Sequence, residues 1–284
     1  MKIQSFFDSV TATFTYVLVD EVSRHCAVID PVLDFDFSSG KTGLHSLHPI
    51  ITYIEAEKLQ LKWILETHAH ADHLSGAAFL KQKLGGKIAI GEHIVEVLKF
   101  WVPLFNNGDN TSLEGSQFDR LLAEGDEISL GALKIKVMHT PGHTPACCTY
   151  LVEDVAFVGD TLFMPYVGTA RTDFPGGSAA VLYHSIQRIL SLPDNTRLFT
   201  CHDYPPEGQR EASISTVAEQ KKENVMIHEG ISEAEYVSVR NARDKGKAVP
   251  KLLLPSIQVN LRAGHLGPVE SNGVRYLKIP LDQL

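Results

Sequence analysis

This sequence has no excess of positive charge, little cysteine and no long apolar run, and each absence removes a class of function. Lys and Arg number 26 against 34 Asp and Glu, for a formal net charge of -8, with no basic stripe. Nucleic acid and an anionic membrane surface are therefore not expected partners, because both recruit clustered cations. No uninterrupted apolar run approaches the roughly 20 residues that a bilayer span requires. The N-terminal MKIQSFFDSVTATFTYVLVD lacks an apolar core followed by a small-residue cleavage site. A soluble chain with no signal peptide is the expectation. The cysteines are Cys26, Cys147, Cys148 and Cys201, two of them adjacent and poorly placed to staple a loop. That spacing argues against a disulfide framework and for a reducing compartment, by default the cytoplasm. Solenoid repeats and low-complexity tracts are also missing.

What is present is enough chain, 284 residues, for one large α/β domain, and composition does not separate the halves. The expectation is a single domain over 1-284, with a helical extension and tail from about residue 205. Residues 11–20 and 25–33, rich in Val, Ile, Thr and aromatics, predict a hairpin. Helices are predicted from Pro49 to Leu59, over the SGAAFLKQKLGG segment after a histidine cluster, and from His93 to Phe100. Residues 102–120, Asn- and Gly-rich, suggest a mobile surface loop. Further strands follow at 126–139 (broken at Leu130-Gly131), 147–152, 155–158 and 198–201. Ser178 is placed to cap a helix, and Thr216/Glu219 and Ser232/Glu235 have capping-box spacing. Strand clusters flanked by helices, occurring twice, point to two sheets sandwiched between helices.

Chemistry concentrates after the apolar runs. WILET is followed by HAHADH, with His68, His70, Asp72 and His73 inside six residues; KIKVM by His139 to His143; VAFVG by Asp160; and RLFT by His202. Strand ends gathered at one edge are where a rigid scaffold presents catalytic side chains. In H-x-H-x-D-H the first two histidines alternate along extended backbone, and Asp72 and His73 are expected to begin the next helix. Imidazole together with carboxylate suits zinc or non-haem iron. A lone histidine is commonly a polar residue of no special function, but four donors in one cluster with three more at separate strand ends are not explained that way.

The ordered set THAHADH, TPGHT, FVGDTLF and CHDY resembles the metallo-β-lactamase-fold superfamily, from the first strand to about Tyr204. The resemblance implies an α/β fold, a metallo-β-lactamase-like four-layer αβ/βα sandwich of two mixed β-sheets flanked by helices, with the site along one sheet edge. It also implies seven ligand positions, His68, His70, Asp72, His73, His143, Asp160 and His202, and two ways of using them. In a dinuclear zinc arrangement similar to glyoxalase II, His68, His70 and His143 hold one ion, Asp72, His73 and His202 the other, and Asp160 bridges. That arrangement implies hydrolysis of glutathione thioesters or lactones. The stretch after Asp160, GDTLFMPYVGTARTDFPGGS, is instead similar to the persulfide dioxygenases of this superfamily, and HTPACCTY resembles that group's H-T-x-G-C-x-T-Y, with Ala146 replacing a glycine. VPKLLLPSIQVNLRAG resembles a C-terminal segment of a longer bacterial subgroup.

The second resemblance implies one Fe(II) held by His68, His143 and Asp160, with His70, Asp72, His73 and His202 as supporting groups around it. It implies oxidation of glutathione persulfide by dioxygen and water to sulfite and glutathione, with iron rather than a protein nucleophile carrying the oxidation. Arg171 becomes a substrate-binding residue with Asp173 as its structural partner, since a planar guanidinium suits a carboxylate. Tyr204 becomes a catalytic hydroxyl, and Arg240, Arg243 and Arg262 further candidates for glutathione. Cys147 and Cys148 start an apolar strand and Cys201 ends one, so buried packing is expected of them rather than nucleophilic work. A homodimer is left open, as is a non-enzymatic sulfur sensor.

Overall fold

The computed structural model describes residues 1–283. The first half runs β1 (Lys2–Asp8), β2 (Thr13–Asp20), β3 (His25–Ile29), β4 (Val32–Asp36), β5 (Lys41–Gly43), α1 (Leu47–Ala56), β6 (Gln60–Leu65), β7 (Leu74–Ser75), α2 (Ala77–Leu84), β8 (Lys87–Gly91), α3 (Ile94–Leu104) and β9 (Arg120–Leu122). The second half runs β10 (Glu127–Leu130), β11 (Leu133–His139), β12 (Cys148–Val152), β13 (Val155–Gly159), α4 (Ala179–Leu190), β14 (Arg197–Thr200), β15 (Ile214–Thr216), α5 (Val217–Glu223), α6 (Glu233–Asp244) and α7 (Leu253–Asn260).

Two six-stranded sheets face one another, ordered β1-β2-β3-β6-β8-β9 and β10-β11-β12-β13-β14-β15. The first is antiparallel through β3 and parallel from there to β9; the second is antiparallel except where β13 and β14 run parallel across α4. Both are mixed, as the resemblance implies. The alternation of β2 explains the layers. Tyr16 and Leu18 point between the sheets, where they meet Ile128, Tyr150 and Phe157, while Val17 and Val19 face the opposite way against Ile50, Ile54 and Leu80 of α1 and α2. All eight residues of β2 are buried, the pattern of a strand covered on both faces. Helices α4, α5 and α6 cover the second sheet through Leu182, Ile186, Val217 and Tyr236. The order of layers is therefore helix, sheet, sheet, helix.

Several local expectations shift. The segment 25–33 breaks at Asp30-Pro31, where Asp30 adopts φ 51° and the chain leaves the first sheet for β4 in a small third sheet. Asp72 and His73 do not begin a helix: β7 intervenes and α2 starts at Ala77. Segment 102–120 is not a free loop, since α3 continues to Leu104, Phe105 and Phe118 are buried, and Gln117 Nε2 donates to the Leu261 carbonyl at 2.6 Å. The extension after residue 205 is not all helical, because β15 completes the second sheet beside β14. Ser178 caps α4, and both capping boxes form as their spacing predicts. Among the described residues no helix is long and apolar enough to cross a membrane.

Candidate metal centre

Every predicted ligand lies just beyond the C-terminal end of a strand or between two strands, on one edge of the sandwich. His68 and His70 follow β6 of the first sheet; His143 sits between β11 and β12, Asp160 follows β13 and His202 follows β14, all of the second. The sheets are joined at this edge by a bridge between Thr13 and His202 and by Phe14 N–H donating to the Cys201 carbonyl at 2.7 Å. Strand pairing thus sets the distance between the two ligand groups.

The seven residues come together. Asp160 Oδ2 lies 3.7 Å from His68 Nε2 and 3.6 Å from His143 Nε2, while its Oδ1 lies 3.4 Å from His202 Nε2. His202 Nε2 is 3.1 Å from Asp72 Oδ2. Two ligand atoms each about 2.1 Å from one ion would stand about 3 to 3.5 Å apart, so these separations suit a shared cation. Within 4.8 Å of one another, donor atoms of His68, His143 and Asp160 form one group and those of His70, Asp72, His73 and His202 another, while Asp160 also lies within that distance of Cys201 and His202.

Hydrogen bonding tests the fit independently. His68 Nδ1 is 3.0 Å from Thr67 Oγ1, His143 Nδ1 donates to the Arg171 carbonyl at 2.8 Å, and His202 Nδ1 donates to the Ala12 carbonyl at 3.2 Å. His70 Nε2 donates to Asp30 Oδ1 at 3.0 Å, with Glu66 Oε2 at 3.2 Å. The opposite nitrogens of His68, His70 and His202, together with His73 Nε2 and Asp160 Oδ1, are buried with no hydrogen-bond partner. An orphaned buried polar atom costs about 1–3 kcal/mol, and native structures rarely leave several side by side. Cations held between these donors would satisfy them, and an imidazole held by one nitrogen with the other idle is the usual state of a metal ligand.

Burial and the neighbouring imidazoles hold the His68 pKa well below the ordinary histidine range, keeping a lone pair available. For His70 burial alone would act the same way, but the Asp30 and Glu66 carboxylates overcome it and raise the pKa well above that range. Asp30 is itself held by the Thr67 N–H at 2.7 Å and hydroxyl at 2.8 Å. Asp30 and Glu66 are thus the carboxylates that orient His70, and the sequence reading missed both. The only signal for Asp30 was its place at a strand end before Pro31.

A cavity of about 360 Å³ opens onto the centre, lined by Asp72, His143 and Asp160 at one end and by Arg171, Arg240, Arg243 and Lys247 among others. Tyr204 lines it too, its ring parallel to that of His202 at 6.2 Å. Tyr204 keeps 53% of its surface exposed, and partial desolvation with Asp72 and Asp160 near raises its pKa above the ordinary phenol range.

The predicted arginines fare differently. Arg171 lines the cavity, but its Nε and one terminal nitrogen bind Asp173 at 2.6 and 2.7 Å and the other donates to the Ala248 carbonyl. Arg240 is 2% exposed, paired with Asp244 and bonded to the Thr169 carbonyl, so its charge is already matched. Arg262 is not brought to the cavity at all: it is buried behind α7, with Thr111 Oγ1 at 3.3 Å. Arg243 and Lys247 are the cavity's more exposed cations, the second unforeseen. Burial raises the thiol pKa of Cys147 to about 12 and keeps Cys148 and Cys201 protonated as well. All four cysteines are free and buried, as the apolar flanks of Cys147, Cys148 and Cys201 suggested for those three.

The sequence profile of the Metallo-beta-lactamase superfamily matches residues 9–202. The chain belongs to the metallo-β-lactamase superfamily. It is 53% identical over 294 residues to a probable metallo-hydrolase of Burkholderia pseudomallei, covering all of both chains. It is 30% identical over 265 residues to the mitochondrial persulfide dioxygenase ETHE1 of Mus musculus, covering 92% of this chain and 88% of that one. It spans 65% of the length of a β-lactamase hydrolase-like protein of Xylella fastidiosa, to which it is 50% identical. Among solved structures, that of ETHE1 from Myxococcus xanthus superposes with a TM-score of 0.74 at 28% identity, over 93% of this chain and all of the other. Within the superfamily the likeness thus extends to the persulfide dioxygenase group.

Proposed function

We propose that this protein is an iron(II)-dependent persulfide dioxygenase, converting glutathione persulfide, dioxygen and water to sulfite and glutathione with release of two protons. The terminal sulfur gains both atoms of dioxygen, and water breaks the sulfur–sulfur bond. The reading rests above all on the grouping of donor atoms. Two imidazoles and one carboxylate, His68, His143 and Asp160, form one of these groups, the combination that leaves positions open in non-haem iron oxygenases. When bound, iron(II) supplies the redox chemistry that lets dioxygen react with sulfur. Likeness to ETHE1 over 92% of this chain supports the same choice.

The remaining tasks belong to the protein. His70, Asp72, His73 and His202 pack around the triad and orient it. Phe163, Val167 and Phe174 give the cavity an apolar wall that keeps water from the reacting sulfur. Arg243 and Lys247 receive the carboxylates of glutathione, with Arg171, already paired with Asp173, beside them, and the protonated Tyr204 hydroxyl donates a hydrogen bond to the bound persulfide. The proposed setting is the cytoplasm, where thiols stay reduced, with neither nucleic acid nor membrane as partner. Metal analysis with oxygen uptake tests it: about one iron per chain and oxygen consumption on glutathione persulfide are expected.

A second reading, a dinuclear zinc hydrolase of glutathione thioesters, is favoured by the orphaned atoms of His73 and His202 and by Asp160 facing both groups, as well as by the metallo-hydrolase name of the Burkholderia relative. Two zinc ions per chain, turnover of lactoylglutathione and no oxygen uptake would replace the first reading with this one.

A further inference from the structure

The loop carrying His70, Asp72 and His73 lies between β6 and β7 and has no regular secondary structure of its own. Such backbone must find its hydrogen-bond partners elsewhere. Several come from a single side chain about 190 positions later. Asn260, 6% exposed at the end of α7, accepts from Ser75 N–H through Oδ1 at 2.7 Å and donates through Nδ2 to the carbonyls of His70 and His73, both at 2.8 Å. The two carbonyls bracket Asp72, so one planar amide spans the residues that supply three donor side chains. Gly264 reinforces the placement: at φ 85°, a Cβ there would stand 2.9 Å from Ala78 N and 3.0 Å from the Ser75 carbonyl. The segment after α7 can lie this close to the loop only as glycine.

We infer that Asn260 is a positioning residue of the metal centre, its side-chain amide setting from the C-terminal helix the geometry of His70, Asp72 and His73. This rests on the metal-centre reading above. It gives the LLLPSIQVNLRAG segment a task that its position in the sequence does not suggest, since α7 sits behind the site and contributes no donor atom to it.

Gln258 of the same helix provides the internal control. It binds the Leu254 and Lys278 carbonyls and the Lys278 N–H, and so ties down the tail without touching the histidine loop. The experiment compares wild type, Asn260→Ala, Asn260→Asp and Gln258→Ala by chelator competition with Fe(II) and by the absorption spectrum of the Co(II)-loaded protein. Groups that orient metal ligands typically contribute about 10- to 100-fold in affinity. Asn260→Ala is expected to lose that much and to change the Co(II) spectrum. Asn260→Asp, similar in shape, keeps the acceptor for Ser75 but turns an oxygen toward the two carbonyls, so an equal or greater loss is expected. Gln258→Ala should bind as wild type does. Wild-type affinity and an unaltered spectrum in both Asn260 variants would overturn the inference, as would equal losses in Gln258→Ala and Asn260→Ala. Failure of the wild-type chain to bind either ion would overturn the metal reading, and this inference with it.

Discussion

The two donor groups of the centre are supported in different ways. His68, His143 and Asp160 lean on backbone and hydroxyl groups: the Thr67 hydroxyl lies beside His68, and the Arg171 carbonyl accepts from His143. The segment that offers this carbonyl is fixed by α6, where Arg240 binds the Thr169 carbonyl and Asp244 accepts from the Thr172 N–H and hydroxyl. In the other group His70 is held by the Asp30 and Glu66 carboxylates, His202 by the Ala12 carbonyl, and the loop that carries His70, Asp72 and His73 is tied to α7 through Asn260. The first group thus rests on backbone and hydroxyl groups, whereas the second includes an imidazole, His70, held by two buried carboxylates outside the donor set. Under the proposed function this difference separates a ligating side from a supporting one.

The sharpest way to break the comparison is to remove a member of each group. Asp160→Ala should take bound iron from about one ion per chain to near none, whereas His70→Ala should retain much of it, as elemental analysis would report. Equal loss in both would contradict the separate roles. Next in size is the support of the first group. Arg240→Met takes the guanidinium from the buried Asp244 and leaves it only Lys247 Nζ at 3.8 Å; breaking a buried pair costs about 3–5 kcal/mol, and the denaturant midpoint should fall accordingly. A smaller effect is expected from Asp30→Asn, which keeps the shape but loses a charged acceptor for His70. Metal affinity should drop in chelator competition by no more than it does in His70→Ala, with little change in folding. Smallest is Arg243→Gln on the exposed wall of the cavity. The loss of one solvated cation, worth about 0.5–1 kcal/mol, should raise the KM for glutathione persulfide roughly 2- to 5-fold at unchanged kcat and metal content. An unchanged KM would remove Arg243 from the substrate side.

Much of the fold was legible. Short β-prone runs, helix caps and the twofold occurrence of strand clusters anticipated two sheets between helices, because alternation and capping are local properties. Where the reading slipped, a long-range contact had overridden a local signal. The polar segment 102–120 looked free until Gln117 reached Leu261, and Asp72 and His73 looked helical until β7 paired with β4. The seven donors were legible too, since each follows an apolar strand. Their supports were not: Asp30 meets His70 across 40 positions and Asn260 meets it across 190, and a lone Asp or Asn in sequence carries no mark of such a partner. Arg262, which looked suited to glutathione, proved to be packed behind α7.

By itself the sequence determined the superfamily, the strand-end placement of the donors and their chemical kind, because these depend on residue type, order and local hydrophobic pattern. Only the tertiary structure decided which donors stand together, which carboxylates are already committed to imidazoles, and which arginines reach the cavity. Those are matters of distance between segments far apart in the chain, and they are fixed by how two sheets and their covering helices pack.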